Sequence, residues 1–330
     1  MTPAGGIELR LPWASGTKPL MLAPLQGVTN RALRAWFCTH VRPDVVFTEF
    51  LRVKGGARGQ LAAADLREIV PPPAGVPLVV QLVGHDRDGL VAAARAARSA
   101  GATHLNLNMG CPYGRMNSGL SGGGMLRRPE LLPELLAALR AAVDCSLSVK
   151  LRAGYDDQRQ IFDLLPMLER ARIDFLVLHP RTVVQQYAGA ADHRLTAAVV
   201  AATPLPVIAN GDIVDARQGQ TILAATGAAG LMLGRGAIGD PQLFTRLRQA
   251  APGAPAAAQR RSELHDYLRD LAADYRELFC GEAQVLAKLK EVLAFIAEPE
   301  LAGVVRELRR SKTRREFETV LEKLPEPQPQ

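Results

Sequence analysis

Residues 77–110 read PLVVQLVGHDRDGLVAAARAARSAGATHLNLNMG. The two ends are short apolar runs, PLVVQLVG (77–84) and HLNLNMG (104–110), of the kind expected from strands buried on both faces. Between them, DGLVAAARAARSAG (88–101) is an alanine-rich helical pattern that closes on a glycine suited to a helix C-terminus. The same unit recurs along the chain. Its other runs are PLMLAPL (19–25), DVVFTEF (44–50), LSVKLR (147–152), FLVLHPR (175–181), PVIANGD (206–212) and GLMLGRG (230–236). Another intervening helix is RRPELLPELLAALRAAV (127–143), with Pro129 near its start, where a missing N–H costs little. Eight strand-then-helix units between Pro19 and Gly236 predict an α/β fold, a (β/α)8 barrel spanning 1–250. A doubly wound open sheet is the competing architecture, and the count of eight favours the barrel.

APGAPAAAQ (250–258) reads as an Ala/Pro linker, assigned to 251–258. Residues 259–324 carry four helical patterns, at 263–279, 283–297, 299–309 and 313–324, and predict a small all-helical domain. The last six residues, 325–330, read as a disordered tail. The chain has 330 residues and a net charge of +7, with a pI near 9.5. That balance favours a polyanionic partner or an acidic substrate. Residues 1–258 hold 27 basic against 19 acidic residues, and 259–330 hold 13 against 14. Four scattered cysteines, Cys38, Cys111, Cys145 and Cys280, form no CxxC pair, which argues against zinc or iron–sulfur sites and against a disulfide framework. No apolar run approaches the ~20 residues of a membrane span and no signal sequence is visible. The expectation is a soluble cytoplasmic protein with no metal.

In a barrel, chemistry collects at the C-terminal ends of the strands. Here those ends are polar throughout: Gln26, Glu49, Gln81, Asn108 with Cys111, Lys150 with Arg152, His179 with Arg181, Asn210 with Asp212, and Gly234 with Arg235. The last two ends, ANGDI (209–213) and LGRG (233–236), follow strands seven and eight, where barrels often hold a phosphate. Glycine backbone can approach such a group and Arg235 supplies charge. Lys150 interrupts an apolar strand and is costly to bury unless paired. It could be a Schiff-base lysine, a cation on an electron-rich cofactor, or a partner of Glu49 or Asp212. Cys111 opens a segment with five glycines in residues 114–124. From residue type alone it could be a nucleophile, an acid, a metal ligand or a buried small hydrophobe. The last description suits Cys38, Cys145 and Cys280 better.

Taken together these segments resemble the dihydrouridine synthase family, flavin-dependent enzymes that reduce uridine in tRNA. The resemblance is carried by APLQGVTN (23–30), QLVG (81–84), NLNMGCPYGRMNSGLSGGGML (106–126), VKLRAGYDD (149–157), HPRTVVQQYAGAADH (179–193), ANGD (209–212) and LGRGAIGDPQLF (233–244). It implies a bound FMN, with NADPH or NADH as a transient reductant. Pro24, Leu25, Gln26 and Gln81 would border the flavin ring, with Lys150 and His179 on its polar edge. Asn210, Gly211, Asp212, Gly234 and Arg235 would hold the phosphate. Asn108 would orient the uracil, and Cys111 would give a proton to C5 as hydride arrives at C6. Arg152 and Arg181 would help place the flavin or the RNA. The glycines at 119–124 would form a moving lid. The C-terminal helices would bind tRNA, with Arg309, Arg310, Lys312 and Arg314 of RELRRSKTRR (306–315) as candidate contacts.

The chain departs from the family pattern at three positions. Gln26 stands where an acid is common, Pro180 where glycine is usual, and His193 where an aromatic is usual. The position of the modified uridine is therefore left open. Competing readings are a synthase acting on another RNA, an FMN oxidoreductase of free pyrimidines, an aldolase-type barrel with Lys150 as Schiff base, and a non-catalytic RNA-binding relative.

Overall fold

A computed structural model describes residues 9–53, 61–113, 120–249, 253 and 255–324. The strands are β1 (Leu20–Leu22), β2 (Val45–Phe47), β3 (Leu51–Arg52), β4 (Leu78–Val83), β5 (His104–Met109), β6 (Ser146–Arg152), β7 (Phe175–His179), β8 (Val207–Asn210) and β9 (Gly230–Leu233). All pairings are parallel. The order β2-β1-β9-β8-β7-β6-β5-β4 is closed by a β2–β4 pairing. The fold is thus the (β/α)8 barrel that the strand count implied. Nine segments occupy eight positions because the second barrel strand is interrupted. β2 pairs with Leu78 and Val79, and β3 rejoins the same neighbour at Leu82 and Val83. Across the break, Thr48 Oγ1 accepts a hydrogen bond from the Gln81 amide at 3.0 Å.

The runs look uniformly apolar because both strand faces are buried. Outward residues such as Val80, Leu82, Leu105, Leu107, Val149 and Leu178 pack into the core beneath the surrounding helices. Inward residues divide into layers. Met21, Val45, Phe47, Val79, Phe175, Val177, Ile208 and Met232 fill the barrel interior. Trp13 joins this layer edge-on to Phe175, with ring centroids 4.9 Å apart. Two residues beyond Val79, Val177 and Ile208 the inward positions become Gln81, His179 and Asn210, while on β5 and β6 Asn108 and Lys150 follow the already polar Asn106 and Ser148. The period-2 alternation therefore lifts a polar layer onto an apolar floor.

After the barrel come helices Ala257–Leu278, Glu282–Leu293, Ala302–Arg310 and Arg314–Leu321. The first begins at Ala257, inside the stretch expected to be linker. Residues 250–252 and 254 of that stretch, and the tail 325–330, lie outside the described residues. These helices share a hydrophobic core with the barrel's first helix, Arg31–His40. Tyr267 lies against Trp36 at 4.5 Å and against Phe37 at 6.3 Å between centroids. Ion pairs of Arg246 with Asp240 and Glu263, and of Arg260 with Glu298, fasten the same seam. No helix among the described residues is long and apolar enough to cross a membrane.

Leu268 is fully buried in this shared core. Leu268→Ala is expected to cost ~2–5 kcal/mol. In a Trp36→Phe background it should lower the unfolding midpoint reported by the fluorescence of Trp13, which packs against the barrel interior. An early transition confined to the C-terminal helices would contradict a shared core.

Candidate active site at the barrel mouth

Asn106 and Asn108 lie two residues apart on β5 and so face the same way, into the barrel. They anchor a chain of buried amides. Asn106 Nδ2 donates to Ser148 Oγ, Gln81 Nε2 donates to Asn106 Oδ1, and Asn108 Nδ2 donates to Gln81 Oε1, each at 2.8 Å. Gln81 and Asn108, both singled out in the sequence, are thus brought together. Asn106 and Ser148 were missed, although the β5 alternation marks Asn106 plainly.

The chain ends on Cys111. Asn108 Oδ1 accepts from the backbone N–H of both Gly110 and Cys111, each at 3.0 Å. On the other side, the Gly123 amide donates to the Cys111 carbonyl at 3.0 Å. A Cβ on Gly123 would lie 2.7 Å from Val183 Cγ2 and 2.8 Å from the Cys111 carbonyl oxygen. Gly122, Gly123 and Gly124 are buried in a 3-10 segment spanning Gly122–Arg127. In the stretch expected to form a lid, 119–124, Gly122 and Gly123 pack against Cys111, where an added Cβ would crowd its Cβ and its carbonyl oxygen. Gly119 and residues 114–118 lie outside the described residues. Of the remaining cysteines, Cys38 and Cys145 are buried, and burial pushes the Cys38 thiol up to about 12. Cys280 is exposed, contrary to its expected burial.

Across β6, β7 and β8 the mouth is cationic. Lys150 Nζ donates to Asn210 Oδ1 at 2.9 Å, and Asn210 Nδ2 donates to the Met232 carbonyl at 2.9 Å. Neither Glu49 nor Asp212 pairs with Lys150 among the described residues. Glu49 instead accepts from the Gly27 amide at 2.9 Å, and its other oxygen is buried without a partner. Desolvation, helped by Arg152, pulls the Lys150 ammonium down to about 8. Burial, reinforced by Lys150, Arg152, Arg181 and Arg235, pulls His179 down to about 2, so its ring is neutral. His179 Nε2 lies 3.1 Å from an Arg181 N–H, which makes Nε2 the acceptor and puts the ring proton on Nδ1.

Arg152 and Arg181 are only 2% and 3% exposed. Both were expected to help place the flavin or the RNA, and both are engaged by protein groups behind the mouth. Arg152 donates to the carbonyls of Gly110, Thr182 and Gln186. Arg181 grips both oxygens of Asp212, at 2.9 and 2.6 Å. Asp212 also accepts from the Ala191 amide and lies 3.6 Å from Arg235. Burial pushes its carboxyl up, but Arg181 and the Ala191 amide outweigh that and hold it below its usual range. Asp212 is therefore a brace for arginines rather than a free group facing a phosphate. Arg235 remains about half exposed and lies over the Tyr187 ring at 4.4 Å. Gly211 has φ +122, and a Cβ there would meet His179 Cδ2 at 2.7 Å. His193, at one of the divergent positions, holds the Gly211 carbonyl through Nε2 at 2.9 Å. Gly234 begins the short helix Arg235–Gly239.

Pro24 and Leu25 are half-buried and Gln26 is exposed in the turn after β1. That turn is held by the Glu49–Gly27 bond and by Lys288 Nζ, which donates to the Gly27 carbonyl at 2.8 Å. Lys288 comes from the Glu282–Leu293 helix, a contact no local sequence signal announces. Arg309, Arg310 and Lys312 are exposed on the C-terminal helices, away from this constellation in the chain. Arg314 is already engaged by Glu282 and Glu318. No cluster of three or more metal-ligating side chains exists among the described residues.

Because the Cys111 carbonyl cannot retreat from a new Cβ, Gly123→Ala should cost ~1–3 kcal/mol and displace the cysteine. In a Cys280→Ser background, thermal melting and the rate of thiol labelling should both change. Adding Val183→Ala should not restore them. Wild-type melting and labelling in Gly123→Ala would refute the packing role.

The dihydrouridine synthase (Dus) family model matches residues 21–324. A probable tRNA-dihydrouridine synthase of Rhodobacter capsulatus is 34% identical over 302 residues, covering 89% of this chain and 90% of the relative. A tRNA-dihydrouridine(16) synthase of Cupriavidus necator is 32% identical over 321 residues, covering 93% and 97%. Among solved structures, TcOYE with pHBA superposes with a TM-score of 0.56 at 13% identity, over 82% of this chain and 98% of that one, a likeness of fold. On the extent of these matches, the chain belongs to the dihydrouridine synthase family.

Proposed function

We propose that the protein reduces the C5–C6 double bond of a uridine in tRNA to 5,6-dihydrouridine, with FMN as cofactor and NADPH or NADH as reductant. The observation that carries this reading is the Asn108 clamp on Cys111 beside a cationic mouth. A reactive side chain is held by its own backbone, and the groups beside it are hydrogen-bond donors in search of acceptors.

The donor set fits a flavin phosphate cofactor. Lys150 is desolvated, yet the hydrogen-bond partner it has among the described residues is a neutral amide. A partly buried cation left this way is costly unless an electron-rich ligand faces it. His179 offers a neutral Nδ1–H, Arg235 a half-exposed guanidinium, and Gly211 and Gly234 an uncluttered backbone. Lys150, His179 and Asn210 would hold the polar edge of the ring, and Arg235, Gly211 and Gly234 the phosphate. Gln81, Pro24, Leu25 and Gln26 would line the ring. Bound and reduced, FMN would supply hydride to C6 of the uracil.

The chain's own contribution is the proton. As C6 accepts hydride, C5 gains electron density, and the Cys111 thiol gives its proton to C5. The thiolate that remains recovers a proton from solvent, so the reaction balances as one hydride and one proton added. Asn108 serves by fixing the backbone on which that thiol is mounted. A uridine inside folded RNA must first be extruded to reach a barrel mouth. The exposed cations Arg309, Arg310 and Lys312 would contribute salt-sensitive phosphate contacts.

Cys111→Ala should retain its flavin spectrum while turnover falls by ~10²–10⁴-fold, as loss of a general acid does. Normal turnover in that variant would remove the acid role, and a protein that stays colourless after FMN supplementation would sink the whole reading. Mapping dihydrouridine in tRNA from a deletion strain tests the substrate. Lys150 gives a pH signature. Its ammonium deprotonates near pH 8 in the free protein, and an electron-rich ligand favours the charged form. FMN affinity should therefore fall as pH rises through about 8, and Lys150→Met should flatten that dependence in a fluorescence titration. The same slope in Lys150→Met would assign it elsewhere.

A further inference from the structure

We propose that Tyr113 is the stacking platform for the nucleobase adjoining the target uridine, a specificity-determining residue outside the catalytic group. The inference rests on the uridine-reduction reading above. Tyr113 is 56% exposed, and it stands two residues from the proposed acid. Its surroundings are not those of an incidental surface side chain. Tyr187, 38% exposed, lies 6.2 Å away with the two rings tilted by 36°. Tyr187 is itself pinned, with Arg235 at 4.4 Å, Arg152 at 5.4 Å and His179 at 6.4 Å. Tyr113 is therefore the outer ring of the pair.

The connection to Cys111 gives this ring its use. Cys111 is fixed at its N–H by Asn108 and at its carbonyl by Gly123. Pro112, buried, follows with its φ locked by the pyrrolidine. The Tyr113 backbone thus starts from a fixed offset to the thiol. A base stacked on Tyr113 would be registered against the reacting carbon by two residues of rigid chain. The occupant that fits is a nucleobase of a single-stranded RNA segment. It presents a flat face to the ring, and its phosphates suit a chain of net charge +7. Extruding one base unstacks its neighbour, and that neighbour needs a new surface to cover it.

The test uses the flavin-loaded protein, NADPH, and bulk tRNA from a strain lacking the enzyme. Tyr113→Leu should raise KM for tRNA by ~5–150-fold, the loss expected for one base–aromatic stack. Its kcat at saturating tRNA, its flavin content and its rate of flavin reduction by NADPH should match wild type. Tyr113→Phe keeps the ring and should keep KM. A KM within twofold of wild type in Tyr113→Leu overturns the inference, as does an equal loss in Tyr113→Phe, or a loss confined to kcat. If wild type itself forms no dihydrouridine on this tRNA, the functional reading fails together with the inference. Wild-type turnover with an unchanged Leu variant defeats the Tyr113 role alone.

Discussion

The carboxamide of Asn108 spends both its ends on protein, and the geometry of the mouth follows from that. Its oxygen takes two consecutive backbone N–H groups and its nitrogen reaches Gln81. Buried polar groups demand partners, so Gln81 must in turn be answered by Asn106, and Asn106 by Ser148. Three adjacent strands are tied at one level by this requirement. The loop that leaves β5 starts from a fixed point. An amide network of this kind is costly when incomplete and rigid when satisfied. That suits the role proposed for Cys111, delivery of a proton to a bound base.

The second organising feature is the handling of positive charge. Arg152 and Arg181 are buried behind the mouth, Arg152 donating to backbone carbonyls and Arg181 paired with Asp212. Their fields nevertheless extend into the mouth, where they help to keep His179 neutral and to pull Lys150 down. The groups that face outward are thereby set as donors. A histidine proton on Nδ1 and a poorly compensated ammonium both point to an acceptor-rich ligand.

Much of this was legible in the sequence. The barrel could be read because eight apolar runs alternated with amphipathic ones, and each run matches a strand position within a few residues. The polar strand ends could be read because alternation sends every second residue inward, and Gln81, Asn108, Lys150, His179 and Asn210 indeed share the upper layer. What escaped was partnership. Nothing local tells whether Arg181 meets a ligand or Asp212, or that Lys288, 261 residues from Gly27, would close the turn after β1. The glycines at 119–124 were read as a lid, and nothing local announces that Gly122 and Gly123 sit against Cys111, because glycine permits motion and close packing alike.

The seam between the barrel and the C-terminal helices has a practical bearing. The outer face of the Arg31–His40 helix presents Trp36 and Phe37 to Tyr267, where other barrel helices present their polar sides to water. Cutting the chain before Ala257 would bare those rings and strip Arg246 of Glu263. It would also free the Gly27 carbonyl from its lysine. A minimal catalytic fragment therefore cannot be obtained by deletion alone. It would need a redesigned, solvent-compatible first helix and a substitute for the strut at Gly27.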